Sequence, residues 1–146
     1  MTSVQVKNNL VISASHDWTV QVFNMETDEK LWQFDHQLFV HCVILRDDQV
    51  ITCCHDKSVR VLALESGEEL HRLEHPGPCV NADLNPRKSL LAVACKSAVV
   101  LWDIRKAVKL EQFDLGSGIN DVRFNPTGDK IIVGLLKGEI YNIELQ

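Results

Sequence analysis

The chain has 146 residues, 45% of them hydrophobic and 6% aromatic, and a formal charge of −5 with acidic and basic residues interspersed. That length can bury a real core, and the charge pattern lacks the clustered basic face that nucleic-acid binding needs. No apolar run approaches membrane-span length, and MTSVQVKNNL has neither the basic start nor the long apolar run of a secretory leader. The expectation is a cytoplasmic protein, with the nucleus as the alternative compartment, and no nucleic-acid or membrane partner.

In chain order, the first segment is LVISASHDWTVQVFNMETDEKLWQF (Leu10–Phe34), and QVITCCHDKSVRVLALESGEELHRL (Gln49–Leu73) repeats it without a gap at a spacing of 39, His16 falling on His55. The same shift places Val11 on Val50, Asp17 on Asp56, Val22 on Val61 and Leu31 on Leu70. A third unit follows at a spacing of 40 and places Cys79–Phe113 on Phe39–Leu73. A fourth starts at Ile119, with Asn125–Pro126 in register with Asn85–Pro86, and carries one extra residue around Leu135–Lys137. The units span about 1–38, 39–77, 78–117 and 118–146 of one repeat domain. A fixed period in this range marks stacked supersecondary units, none of which buries its apolar face alone.

Within a unit the runs are short and rich in Val, Ile and Leu. In the second, Val40, Val43 and Leu45 form one run, Val50–Cys54 the next, and Val59, Val61 and Ala63 alternate with more polar neighbours before Leu70 and Leu73. Asp, Gly, Pro and Ser punctuate the intervals at residues 46–48, 55–57, 66–68 and 75–78. This is strand patterning, and no stretch has helical periodicity. The prediction is all-β: about four blades of four antiparallel strands (a to d), the last incomplete.

The pattern resembles the WD40-repeat family along essentially the whole chain. Trp102–Asp103 matches the signature dipeptide at the end of strand c. Ser15–His16–Asp17 and Cys54–His55–Asp56 match its b–c turn, and His36 and His75 match the histidine that leads into the next strand a. The resemblance implies a β-propeller fold, with His36, His75, Asp17, Asp56 and Trp102 in a structural hydrogen-bond network. Phe23, Leu62 and Ile143 replace the signature Trp elsewhere, and no unit keeps the full Trp, Ser or Thr, His and Asp set. Apolar packing is therefore expected to carry the blades. Since propellers close with about 4–8 blades, three arrangements follow: a piece or short product of a longer propeller, a half-propeller completed by a second copy or a partner chain, or a four-bladed ring.

No catalytic, cofactor or metal site is expected. Cys42, Cys53, Cys54, Cys79 and Cys95 make no C-x-x-C pair and fall on strand-like runs, as in a reduced protein with buried thiols. The recurrence of the histidines at equivalent positions argues for architecture. Nucleophile elbows, phosphate-binding glycine loops and zinc-protease motifs are absent from the sequence. Arg46 and Arg60 do not make the converging set that phosphate capture needs. Trp18 stands out: a large aromatic in a solvent-facing turn where the next units carry Lys57 and Ser97. Trp dominates binding hot spots because it offers much area with few rotors. Together with His16, Phe39, His55 and Lys57 it is expected to line a surface for a protein or peptide. Trp32, between Leu31 and Phe34 facing inward, is expected at the rim. The expected function is a non-catalytic interaction scaffold, with self-association to complete the propeller as the alternative.

Overall fold

Short runs of β-branched residues between turn formers give fifteen strands in four antiparallel sheets in a computed structural model that describes residues 1–145. The first sheet orders β1 (Ser3–Lys7), β2 (Leu10–Ala14), β3 (Thr19–Asn24) and β4 (Glu29–Asp35) side by side. The second repeats this with β5 (Val40–Arg46), β6 (Gln49–Cys54), β7 (Ser58–Ala63) and β8 (Glu69–Glu74). The third has β9 (Cys79–Leu84), β10 (Leu90–Cys95), β11 (Ala98–Asp103) and β12 (Val108–Asp114), and the fourth β13 (Ile119–Phe124), β14 (Lys130–Leu135) and β15 (Ile140–Glu144). The chain thus has a repeated all-β, blade-like fold. Among the described residues no helix is long and apolar enough to cross a membrane.

The chain divides into two compact units, Met1–Glu74 and the residues from His75 onward. In the first, Ile12, Ala14, Val20 and Val22 pack against Val40, Val43, Val50 and Leu62 of the second sheet. In the second, Ala92, Ala94, Val99 and Leu101 meet Val122, Ile131, Val133 and Ile143. Each such aliphatic side chain contributes about 1.5–3 kcal/mol on full burial, so these two sandwiches hold the blades.

Two expectations are corrected at this level. They concern Leu31 and the rim position of Trp32; β7 is covered on both faces, with Ser58, Arg60 and Leu62 buried as well as Val59 and Val61. Leu31 does not face inward: it is 46% exposed. The β3–β4 register slips between Val22 and Phe23, so that Trp32 pairs with Val22 and Lys30 with Phe23, leaving Leu31 as the unpaired residue of a bulge. Trp32 consequently turns to the core face. It is half-buried against the first unit's apolar cluster, and its Nε1 donates to the Leu64 carbonyl at 2.7 Å. The same slip recurs between Val61 and Leu62 and between Leu101 and Trp102.

Candidate functional site

The β2–β3 and β6–β7 turns lie at one end of their sheets, and the connection from β4 to β5 runs between them. Ser15 O accepts from both Trp18 N (3.3 Å) and Val40 N (3.2 Å). Trp18 O accepts from His36 N at 2.7 Å, and Phe39 O from His55 N at 2.8 Å. These bonds leave His36 and Val40 buried and turn Leu38 and Phe39 outward, 37% and 42% exposed.

Both turns place their fourth residue in the left-handed region, Trp18 at φ 77° and Lys57 at φ 72°. The corresponding turn of the fourth sheet uses Gly138, φ 91°. Glycine adopts this conformation freely, whereas a Cβ makes it costly. The turns are held by aspartates. Asp17 Oδ1 accepts from Thr19 N (3.0 Å) and Oγ1 (2.6 Å), and Asp56 Oδ1 accepts from Ser58 N (3.0 Å) and Oγ (2.5 Å). The Thr19 hydroxyl, then its amide, hold the Asp17 carboxyl below its usual range.

Of the residues expected to form a surface, the structure brings His16, Phe39 and His55 together. The Phe39 ring lies 5.0 Å from His16 and 6.0 Å from His55 between centroids. His41 joins them from β5, unforeseen: its Nε2 is 3.1 Å from His55 Nδ1, and its ring lies 5.7 Å from His16. No sequence signal located it: Phe39 precedes β5, and the β5–β6 register slips between Val40 and Cys42, which leaves His41 as the unpaired residue of a bulge where strict alternation fails. Trp18, 47% exposed, has no ring partner among the described residues, and Lys57 is exposed beside its own turn. Those two belong to the same turn layer but not to the ring cluster.

Beneath lies the polar network. In the third sheet Trp102, 7% exposed, donates Nε1 to His75 Nε2 at 2.9 Å. In the second, Leu62 stands at the bulge position equivalent to Trp102 and offers no donor. Arg60 supplies it instead, a role that the sequence did not disclose. It is 4% exposed and its Nη1 donates to His36 Nδ1. Its Nη2 lies 3.1 Å from Asp56 Oδ2 and its Nε 2.8 Å from Glu69 Oε1. Asp17, by contrast, is exposed and closes only its own turn.

An arginine is never a proton donor lost to water at ordinary pH, so His36 is the Nε2–H tautomer. Among the described residues that N–H and Thr52 Oγ1 are buried without hydrogen-bond partners. Burial, and then Arg60, lower the His36 pKa to about 4. His36, Cys54 and Asp56 place ligand-type atoms within 4.8 Å of one another. The fixed guanidinium, the protonated Nε2 and a Cys54 thiol pushed by burial to about 11 make this trio an unfavourable cation site.

No family model matches the chain, and no curated protein matches it. Among solved structures it is similar to the computationally designed Ika4 protein, with a TM-score of 0.89 at 21% identity over 99% of this chain and 91% of that one. It is similar also to the computationally designed Ika8 protein, with a TM-score of 0.88 at 21% identity over 99% of this chain. The match covers 45% of Ika8, so this chain spans a little under half of its length. At this identity the likeness concerns the fold alone.

Proposed function

We propose that the chain is a non-catalytic interaction module built from WD40-type propeller blades, and that it binds a protein or peptide through the turn layer of its first two sheets. The observation that carries this reading is Trp18. An indole that is 47% exposed is held at φ 77°, where the equivalent turn of the fourth sheet has glycine. A side chain in this region costs about 1–2 kcal/mol, and Trp18 has no ring contact that offsets it. Recognition gives this side chain a use, since a rigid exposed aromatic on a preorganised turn is the usual anchor of an interface. Leu38 and Phe39 extend the apolar patch, and His16, His55 and Lys57 supply its polar rim. The test compares proteins retained by the wild-type chain with those retained by Trp18→Gly and Phe39→Ser. A partner that binds wild type and is lost with both substitutions, while both variants stay folded at the temperature of the assay, supports the module; equal retention by all three refutes this surface.

A second reading rests on β15. It is the outer strand of a three-stranded sheet, with Ile140 and Tyr141 74% and 50% exposed. Beside it lie cavities of about 410 and 420 Å³, lined in part by Leu90, Leu110, Phe113 and Tyr141. The other sheets each carry a fourth strand here. An extended segment from a second copy or a partner chain, added along this edge, would complete the blade.

A further inference from the structure

We propose that Cys79 and Cys95 form a disulfide across β9 and β10 when the chain folds in the presence of a low-molecular-weight disulfide. The two are direct partners in the antiparallel register, just beyond a bulge that leaves Val80 unpaired. One position further out, Lys96 N donates to Pro78 O at 3.2 Å. Hydrogen-bonded and non-hydrogen-bonded pairs alternate, so Cys79 and Cys95 take the close spacing, with Cα atoms about 4.5 Å apart. A disulfide needs roughly 4.4–6.8 Å. Both side chains are buried, and both sulfurs lie by Gly77: the Cys79 thiol donates to its carbonyl at 3.9 Å, and its amide reaches the Cys95 sulfur. The equivalent pairs in the second and fourth sheets are Val40 with Cys54 and Ile119 with Leu135. Apolar packing suffices at this place, and of these three sheets the third puts a sulfur on each strand. Cys42 and Cys53 also face each other, but at the bulge itself, where Cys53 opposes both His41 and Cys42; that pairing is the rival outcome.

The unfolded chain exposes its thiols at their ordinary pKa, near 8.5. Once the chain is folded, burial and then the nearness of Cys79 push the Cys95 thiol up to about 12, so the bond forms as the strands pair. One cysteine thiolate attacks a sulfur of the small disulfide, breaks its S–S bond and expels one thiolate. The other cysteine thiolate then attacks the cysteine sulfur of the mixed disulfide and expels the second. Two cysteine thiols are oxidised, and the small disulfide is reduced to two thiols, which take the two protons.

The experiment unfolds the reduced full chain in urea, refolds it by dilution with oxidised and reduced glutathione, and alkylates the remaining thiols. Peptide mapping of the refolded monomer should find the Cys79–Cys95 bridge as the dominant link, and the bridged chain should have a higher urea midpoint than the dithiol. Cys79→Val and Cys95→Leu install the residue types that hold the equivalent places at Val40 and Leu135, so both variants should fold, and each should abolish the bridge. Cys42→Ala and Cys53→Val should keep it. No bridge in the refolded chain, a Cys42–Cys53 bridge in its place, or an equal yield of Cys79–Cys95 from chain oxidised while held in urea would each overturn the proposal.

Discussion

Trp18 and Arg60 show how single residues depart from the repeat with opposite consequences. Trp18 takes up a glycine conformation at the surface, so Trp18→Gly should raise stability by about 1 kcal/mol, read as a higher urea midpoint; a clear loss of stability would make Trp18 a packing residue. Arg60 sits inside, charged and triply engaged with His36, Asp56 and Glu69. Arg60→Ala should cost about 3–5 kcal/mol because it strands a buried carboxylate and an imidazole. Arg60→Met, which also keeps an apolar stem over the Phe34 ring now 5.6 Å from the guanidinium, should cost less. Equal losses in the two variants would show that the charge and its hydrogen bonds, not the shape of the stem, govern the position. His36 carries a pH dependence. Its pKa is about 4 when folded against 6.5 as the ordinary value, so between these values the unfolded chain binds the extra proton. Stability is full above pH 6.5 and falls as the pH drops towards 4, by an amount on the order of 3 kcal/mol. His41, also lowered by burial, adds a loss of the same sign. Urea midpoints measured at pH 7 and pH 4.5 check this; coincident curves would contradict it.

At the scale of the strand, the repeated bulge between the third and fourth strands does the most to shape the blade. It lies at Val22/Phe23, Val61/Leu62 and Leu101/Trp102. It was not legible in the sequence, because a bulge adds a residue to one strand without interrupting its apolar pattern, and inward and outward positions then exchange downstream. That exchange sends Leu31 out and Trp32 in. Trp32 lies over Gly67, which has φ +74°, and a Cβ there would meet the indole at 2.7 Å. Gly67→Ala should therefore destabilise the first unit by more than the roughly 1 kcal/mol of an ordinary left-handed glycine, with changed near-ultraviolet ellipticity from Trp32. Retention of both stability and signal would mean that the indole moves aside freely. The turns themselves were readable from Asp and Ser at repeat-equivalent places, since those side chains cap their own turn two residues on.

For the whole molecule, the open edge of β15 is the feature with the greatest consequence. Among the described residues β15 pairs on one side only, beside exposed Ile140 and Tyr141, and such an edge invites pairing with another strand. Solution mass should rise with concentration, and Ile140→Lys should lower that dependence, since a charge on an edge opposes strand addition. A clean monomer at all concentrations would leave the second reading without support. Within each of the two compact units one sheet packs on the next, so that stability is built from local interfaces.

The sequence by itself determined the all-β class, the repeat period, the turns and most of the strands, because alternation, turn chemistry and a shared period are local properties that each unit states again. It also singled out Trp18, since a residue that breaks a repeat is visible without coordinates. Only the tertiary structure decided that Arg60 takes the place of a tryptophan donor, that Trp32 belongs to the core, and that His41 joins His16 and His55. Those facts depend on bulges and on side chains from separate strands meeting at one end of two sheets, and distances of that kind are set by packing rather than by neighbours along the chain.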